Sequence, residues 1–284
     1  VRAPSLKDIA PVTRRIIIVN CALALLAEGL SLFGLPNPIR EYFPMRLGDL
    51  LQGAFWQLFT YMWVHAELYG IMIVHLLFNM LTLFFIGRIV EPRMGAKAFW
   101  WTYLIGGLAA IFFFLAEQVL TVALNGTAVI EWDRPLVGAS GAVCAVVGVF
   151  GVLLPNVQVF IMFLPFPIRA VNAVRGFAVF SLVVALAGCL PGVGTAPGLQ
   201  WLFAVAHSAH LGGLLFGWWV GTQLVQGGVP VSGPPPLNFG VERMSPAEIR
   251  DALDPILEKI SREGIQSLTP KEREILDRAR RLFG

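Results

Sequence analysis

Up to residue 226 the chain alternates long apolar runs with short intervals of charge, Gly and Pro, and the runs fall at residues 15–34, 71–90, 97–117, 138–155, 173–190 and 203–225. A helix of about 20 mainly apolar residues crosses a hydrocarbon layer, so each run predicts a membrane span or something close to one. Gly and Pro within the runs are compatible with helix, because neighbouring helices can satisfy the backbone groups they free. Residues 35–70 break the rhythm. They are aromatic and half polar ("FWQLFTYMW"), a composition that suits the membrane–water interface. The first run continues past Glu28 without a small-residue cleavage site, so it predicts a retained span preceded by a cytoplasmic segment, residues 1–13.

Beyond the last run the pattern changes. Residues 227–240 cluster Gly and Pro and predict a linker. Residues 241–284 then carry apolar positions at helical spacing, among them Ile249, Leu253, Ile256 and Ile260, then Ile275, Leu276 and Ala279. Ser245-Pro-Ala-Glu248 and Thr269-Pro-Lys-Glu272 each combine a hydroxyl N-cap, a proline at the first helical position and a glutamate two residues on. The fold class predicted is therefore all-α: a polytopic membrane protein with a six-helix bundle over residues 14–226 and a small soluble helical tail.

Composition agrees with membrane lipid as the solvent. Apolar residues make up 56% of the chain and charged residues only 14%, with a mean hydropathy of +0.71. A net charge of +3 scattered along the sequence gives no basis for a nucleic-acid partner. Cys21, Cys144 and Cys189 have no CxxC spacing, which argues against a disulfide framework or a zinc site. Orientation follows from Lys and Arg in short loops. Lys7, Arg14 and Arg15 precede the first run, Arg93 and Lys97 separate the second and third, and Arg169 and Arg175 flank the gap between the fourth and fifth. Both termini are expected in the cytoplasm.

The chemistry concentrates in a few polar residues inside the apolar runs. His75, His207 and His210 lie in predicted spans, where ionisable side chains are costly and face a bundle interior or a water-filled cavity. In "GASGAVCA", Ser140 begins the fourth span, where unpaired amides and the helix dipole favour a developing negative charge, and Gly138 and Gly141 leave its hydroxyl accessible. Packing alone would also explain a Gly/Ala/Ser face. The sixth span shifts the balance between the two readings. Gly213, Gly217 and Gly221 recur every four residues on the face that carries His210, and Gly141, Ala145 and Gly148 form a matching face below Ser140. Joining the faces sets His210 beside Ser140 as a general base beside a nucleophile. On the second span, His75 and Asn79 share one face and can both donate; with the Ser140 amide they would form an oxyanion hole. His207 is a competing base, offset by about 60° and ~4.5 Å from His210; His210 is preferred because its face continues into the glycines, and His207 is placed at the cavity mouth. His65 is read as a surface or structural residue, and Glu28 and Glu117 as structural groups near span ends.

These residues resemble the rhomboid family of intramembrane serine proteases. The resemblance covers roughly residues 14–226 and rests on GxSG at Gly138–Gly141, AHxGG at Ala209–Gly213 and HxxxN at His75–Asn79, supported by "IGRIVEPRMG" with Glu91 and Gly95. It implies a catalytic dyad of Ser140 and His210, and an oxyanion site of His75, Asn79 and the Ser140 amide. It also implies a cavity open to the extracytoplasmic side, an embedded interfacial loop over residues 35–70, and substrate entry near spans two and five. No metal and no other cofactor is implied. The expected partners are transmembrane protein substrates with a locally unstable helix, and the expected location is a bacterial inner membrane. Two positions depart from the pattern. Gln57 follows Trp56 where Arg is common, and Cys144 stands where some members carry an aromatic that stacks on the catalytic histidine. A metalloprotease is discarded for want of ligand spacing such as HExxH. A transporter would be expected to show repeated halves, and no clear repeat is seen. The remaining alternative is a non-catalytic relative that binds membrane helices; such relatives typically lack the serine or histidine, and this chain keeps both.

Overall fold

A computed structural model describes residues 9–65, 71–126, 132–161, 166–193, 198, 200–203, 205–229 and 244–283. The chain divides into two compact units, a bundle within residues 5–231 and a unit containing the tail from residue 232 onward. Most of the linker expected at 227–240, and half of residues 191–200, which carry no charge, lie outside the described residues.

The bundle opens with α1 (Pro11–Leu32). The interfacial connection follows as three short helices, α2 (Pro38–Tyr42), α3 (Leu47–Leu51) and α4 (Gln57–Thr60), and a 3-10 turn at Tyr61–Trp63. Next, α5 (Ile71–Thr82) runs through a wide turn at Leu83–Gly87 into α6 (Arg88–Met94), and α7 (Ala96–Asn125) returns. The short α8 (Ser140–Leu153), α9 (Ala170–Gly188), the single turn α10 (Gln200–Phe203) and α11 (His207–Gln226) complete it. Between α8 and α9 a small antiparallel ribbon pairs β1 (Gln158–Val159) with β2 (Ile168–Arg169), an element the apolar pattern did not predict.

Among the described residues four helices are long and apolar enough to cross a membrane: Pro11–Leu32, Ile73–Met94, Ala96–Asn125 and Ala170–Gly188. They present Leu25, Leu26, Phe85, Phe112, Val119 and Val183 outward, an exposed apolar surface that suits lipid and not water. The chain is an all-α, multi-pass membrane protein. The fourth run, predicted over 138–155, is a helix of only 14 residues. Gly138 with φ of +112° precedes it and Pro155 follows it. Because α8 is buried along most of its length by its neighbours, it meets other helices more than lipid.

Two carboxylates, the buried Glu91 and the half-buried Glu117, hold the frame. Glu91 accepts hydrogen bonds from the amides of Val12 (3.0 Å) and Thr13 (2.7 Å) and from the Thr13 hydroxyl (2.7 Å), capping α1 from a distant helix. Replacing it with Ala strands these donors and lowers stability by about 3 kcal/mol. Thermal unfolding in detergent measures this, with Glu91→Gln losing less because one acceptor oxygen remains. Glu117 on α7 accepts from the Ser208 hydroxyl on α11. Glu28, nearer the span end, pairs with Arg40 at 2.5 Å and ties the interfacial connection to α1, the structural role expected for it.

In the tail unit, α12 (Pro246–Glu263) begins with the reciprocal Ser245–Glu248 capping box, and α13 (Pro270–Phe283) follows a 3-10 turn at Ile265–Ser267. Ile249, Ile256, Leu268, Ile275 and Ala279 form its core. The Glu272 carboxylate is held down to about 2 by the Thr269 amide, the Lys259 ammonium and the Thr269 hydroxyl, so it stays charged while locking α13 to α12.

Candidate active site

The site is built where the interfacial connection meets the start of α8. The Met45 amide donates to the Leu136 carbonyl (3.0 Å) and the Leu136 amide to the Met45 carbonyl (2.8 Å). Two residues on, the Gly138 amide donates to the Tyr61 carbonyl (3.0 Å), and the Tyr61 hydroxyl donates to the Gly107 carbonyl on α7 (2.8 Å). Gly138 is required here twice over. Its φ of +112° is strained for any side chain, and a Cβ would stand 3.3 Å from His75 Nε2. The first amides of α8, beginning with that of Ser140, have no partner within the helix.

Below Ser140, α8 and α11 meet at backbone distance. A Cβ on Gly213 would collide with the Gly141 carbonyl, and one on Gly217 with the Ala145 carbonyl; one on Gly148 would strike the Leu214 carbonyl. These are the faces that the spacing of four predicted. A third wall was not foreseen: α7 presses Gly106 against the Ala145 methyl, Ala110 against Gly141, and Ala109 against Gly212. With the three helices this close, the His210 and Ser140 side chains meet, Nε2 to Oγ at 2.8 Å.

Both open onto a cavity of about 700 Å3 whose walls include His75, Asn79, Gly138, Cys144 and Phe177. His75 Nε2 and Asn79 Nδ2 are buried and have no hydrogen-bond partner among the described residues. The sequence-predicted residues Ser140, His210, His75, Asn79, Gly138 and Gly141 thus line one cavity, while Gly213 and Gly217 set the helix spacing beneath it.

Four positions differ from expectation or resolve an open one. His65 is buried, not at the surface: it lines the cavity, its ring 6.2 Å from that of His75, because the connection folds back over the bundle. His207 is not among the cavity-lining residues; its Nε2 lies 3.0 Å from the Leu202 carbonyl and its ring meets Phe180 edge-on. Gln57 is buried, accepts from the Arg46 amide (3.0 Å) and donates to Asp49 (2.8 Å), so it anchors the connection without a guanidinium. Beside Cys144, the aromatic ring that approaches His210 is Phe177 from α9, centroids 6.0 Å apart. Tyr61 and Phe177 carry no sequence signal that separates them from other aromatics in apolar runs. Among the described residues no group of three or more His, Cys, Asp or Glu gathers as a metal site.

The chain is 30% identical over 151 residues to Rhomboid protein 1, mitochondrial, of Saccharomyces cerevisiae, covering 51% of this chain and 38% of that protein. It is 28% identical over 151 residues to Presenilin-associated rhomboid-like protein A, mitochondrial, of Danio rerio, covering 52% and 34%. It is 25% identical over 203 residues to Rhomboid protease GlpG of Salmonella choleraesuis, covering 71% and 59%. The chain therefore spans less than two thirds of the length of these relatives. Residues 246–279 of the tail match a family of unknown function, DUF6576. The Rhomboid domain family matches residues 52–227, more than half of the chain and the whole of the cavity region, and the protein belongs to the rhomboid family, whose members are generally intramembrane serine proteases.

Proposed function

We propose that this protein is an intramembrane serine endopeptidase that cleaves transmembrane helices of single-span proteins through a dyad of Ser140 and His210. The observation that carries the reading is the 2.8 Å contact between His210 Nε2 and Ser140 Oγ inside a cavity walled by membrane helices. Ser140 Oγ attacks the scissile carbonyl while His210 Nε2 takes its proton. The tetrahedral oxyanion receives hydrogen bonds from the Ser140 amide, Asn79 Nδ2 and His75 Nε2, the last two being buried donors otherwise unpartnered among the described residues. The proton on His210 passes to the leaving amine, whose C–N bond breaks to give an acyl-enzyme. Water, deprotonated by His210, then releases the carboxyl product and restores the serine. No step calls for a metal or cofactor.

In this reading six bundle helices, α1, α5, α7, α8, α9 and α11, form the 14–226 protease domain, and residues 227–240 link it to a cytoplasmic tail, 241–284. Both termini face the cytoplasm of a bacterial cell, the cavity opens on the other face of the inner membrane, and the substrate helix enters beside α5 and α9, which both contribute to the cavity wall. Substrates with Gly or Pro near the cut are favoured, since the bond must leave its helix before it can be attacked.

The test is cleavage of a panel of single-span helices by the purified protein in liposomes, together with labelling by a fluorophosphonate mapped by mass spectrometry. Cleavage with label on Ser140 is expected. A folded protein that neither cleaves nor labels, yet retains the helices, overturns the protease reading in favour of a helix-binding relative. Within the same assay Asn79→Ala lowers kcat by about 10^2-fold with little change in KM, as loss of one oxyanion donor does.

A further inference from the structure

In serine hydrolases built as triads, a third group bonds the histidine on the nitrogen away from the serine and fixes the ring. Here His210 Nδ1 is buried and no group among the described residues bonds it. The ring plane must then be set by what touches its faces and edges. Two rings do so. His207, one turn earlier on α11, stands nearly perpendicular at 5.9 Å between centroids and is itself held by the Leu202 carbonyl and the Phe180 edge. Phe177, from α9, lies tilted by 37° at 6.0 Å.

Phe177 reaches this place because of what α8 leaves open. Cys144, one turn after Ser140, is a small buried side chain that clusters with Val174 and Leu214, and Phe177 packs against that cluster while lining the same cavity. A ring at position 144 would compete for the space beside the histidine. The cysteine yields that space to an aromatic delivered by a different helix.

We propose that Phe177 is a positioning residue for His210: it supplies from α9 the aromatic platform that Cys144 cannot supply from α8, and so holds the imidazole in line with Ser140 Oγ. The inference deepens the protease reading and rests on it. Phe177 touches the base, not the reacting atoms, and its effect is on the fraction of molecules whose dyad is aligned.

The experiment compares wild type, Phe177→Ala, Phe177→Leu, Cys144→Phe and the double variant Cys144→Phe/Phe177→Ala. Each is assayed for kcat, KM, the rate of fluorophosphonate labelling and thermal stability in detergent. Losing one aromatic contact of this kind corresponds to about a tenfold fall in kcat. The expected result is that fall in Phe177→Ala, a matching fall in labelling, and KM within about twofold of wild type. Phe177→Leu, which keeps bulk but lacks the ring, also falls. The double variant regains most of the loss, because a ring again lies beside His210. A raised KM with unchanged labelling would make Phe177 a substrate-docking residue and overturn the proposal. So would a folded double variant no faster than Phe177→Ala, or a Phe177→Leu variant equal to wild type. If wild type itself neither labels nor cleaves, the protease reading fails first, and this outcome is distinct from an active wild type insensitive to Phe177.

Discussion

Ser140→Ala and His210→Ala each lower kcat/KM on the order of 10^4-fold or more, and the double variant is no worse than either single one. The non-additivity is the informative part. Ser140 Oγ and His210 Nε2 share one 2.8 Å hydrogen bond, and an attack that requires both groups is lost when either is removed. Among the described residues neither Ser208 nor His207 is placed to substitute. The Ser208 hydroxyl is bonded to Glu117, and His207 is tied to the Leu202 carbonyl with its ring nearly perpendicular to that of His210. Both single variants retain the glycine contacts between α8 and α11, so their thermal unfolding stays close to wild type and the loss is one of chemistry. Fluorophosphonate labelling disappears in Ser140→Ala and slows in His210→Ala by a factor comparable to the loss in cleavage. A His210→Ala protein that labels at the wild-type rate would assign the base to another group.

The contact between Ser140 and His210 was legible in the sequence because its determinants are periodic. Gly213 and Gly217 lie four apart on the helix that carries His210, and Gly141, Ala145 and Gly148 answer them from the helix that begins at Ser140. Two bare helical faces can meet in few ways, and both carry polar groups at the same end. The third wall escaped because α7 is 30 residues of nearly continuous apolar sequence. With apolar residues on every side, Gly106 and Gly107 do not single out a face. His65 and Gln57 escaped for a different reason: the aromatic, half-polar connection carries no period to say which of its residues turn inward. Phe177 was hidden by composition, since a phenylalanine in an apolar run reads equally as lipid-facing or cavity-facing until α9 is placed against α8.

Gly213→Val separates the two helices that form the dyad and lowers kcat on the order of 10^3-fold, with a lower unfolding temperature. Even the first carbon of the new side chain would collide with the Gly141 carbonyl, one residue after the nucleophile, and that obstacle is backbone, which cannot rotate aside. The helices must part by more than an ångström at the level of Gly141, directly beneath the Ser140 to His210 contact. A misplacement of about 1 Å already costs on the order of 10^2-fold in a reaction that depends on alignment, and the branched side chain of valine adds to it. Gly213→Ala, which forces a smaller separation, falls between valine and wild type. Helix propensity works the other way: alanine is favoured over glycine by about 1 kcal/mol, so any loss of stability must come from overpacking. Gly29→Ala on α1, where the added Cβ meets nothing within 4 Å, isolates that propensity effect and leaves kcat unchanged. A folded Gly213→Val protein with wild-type kcat would show that the spacing of α8 and α11 does not set the dyad.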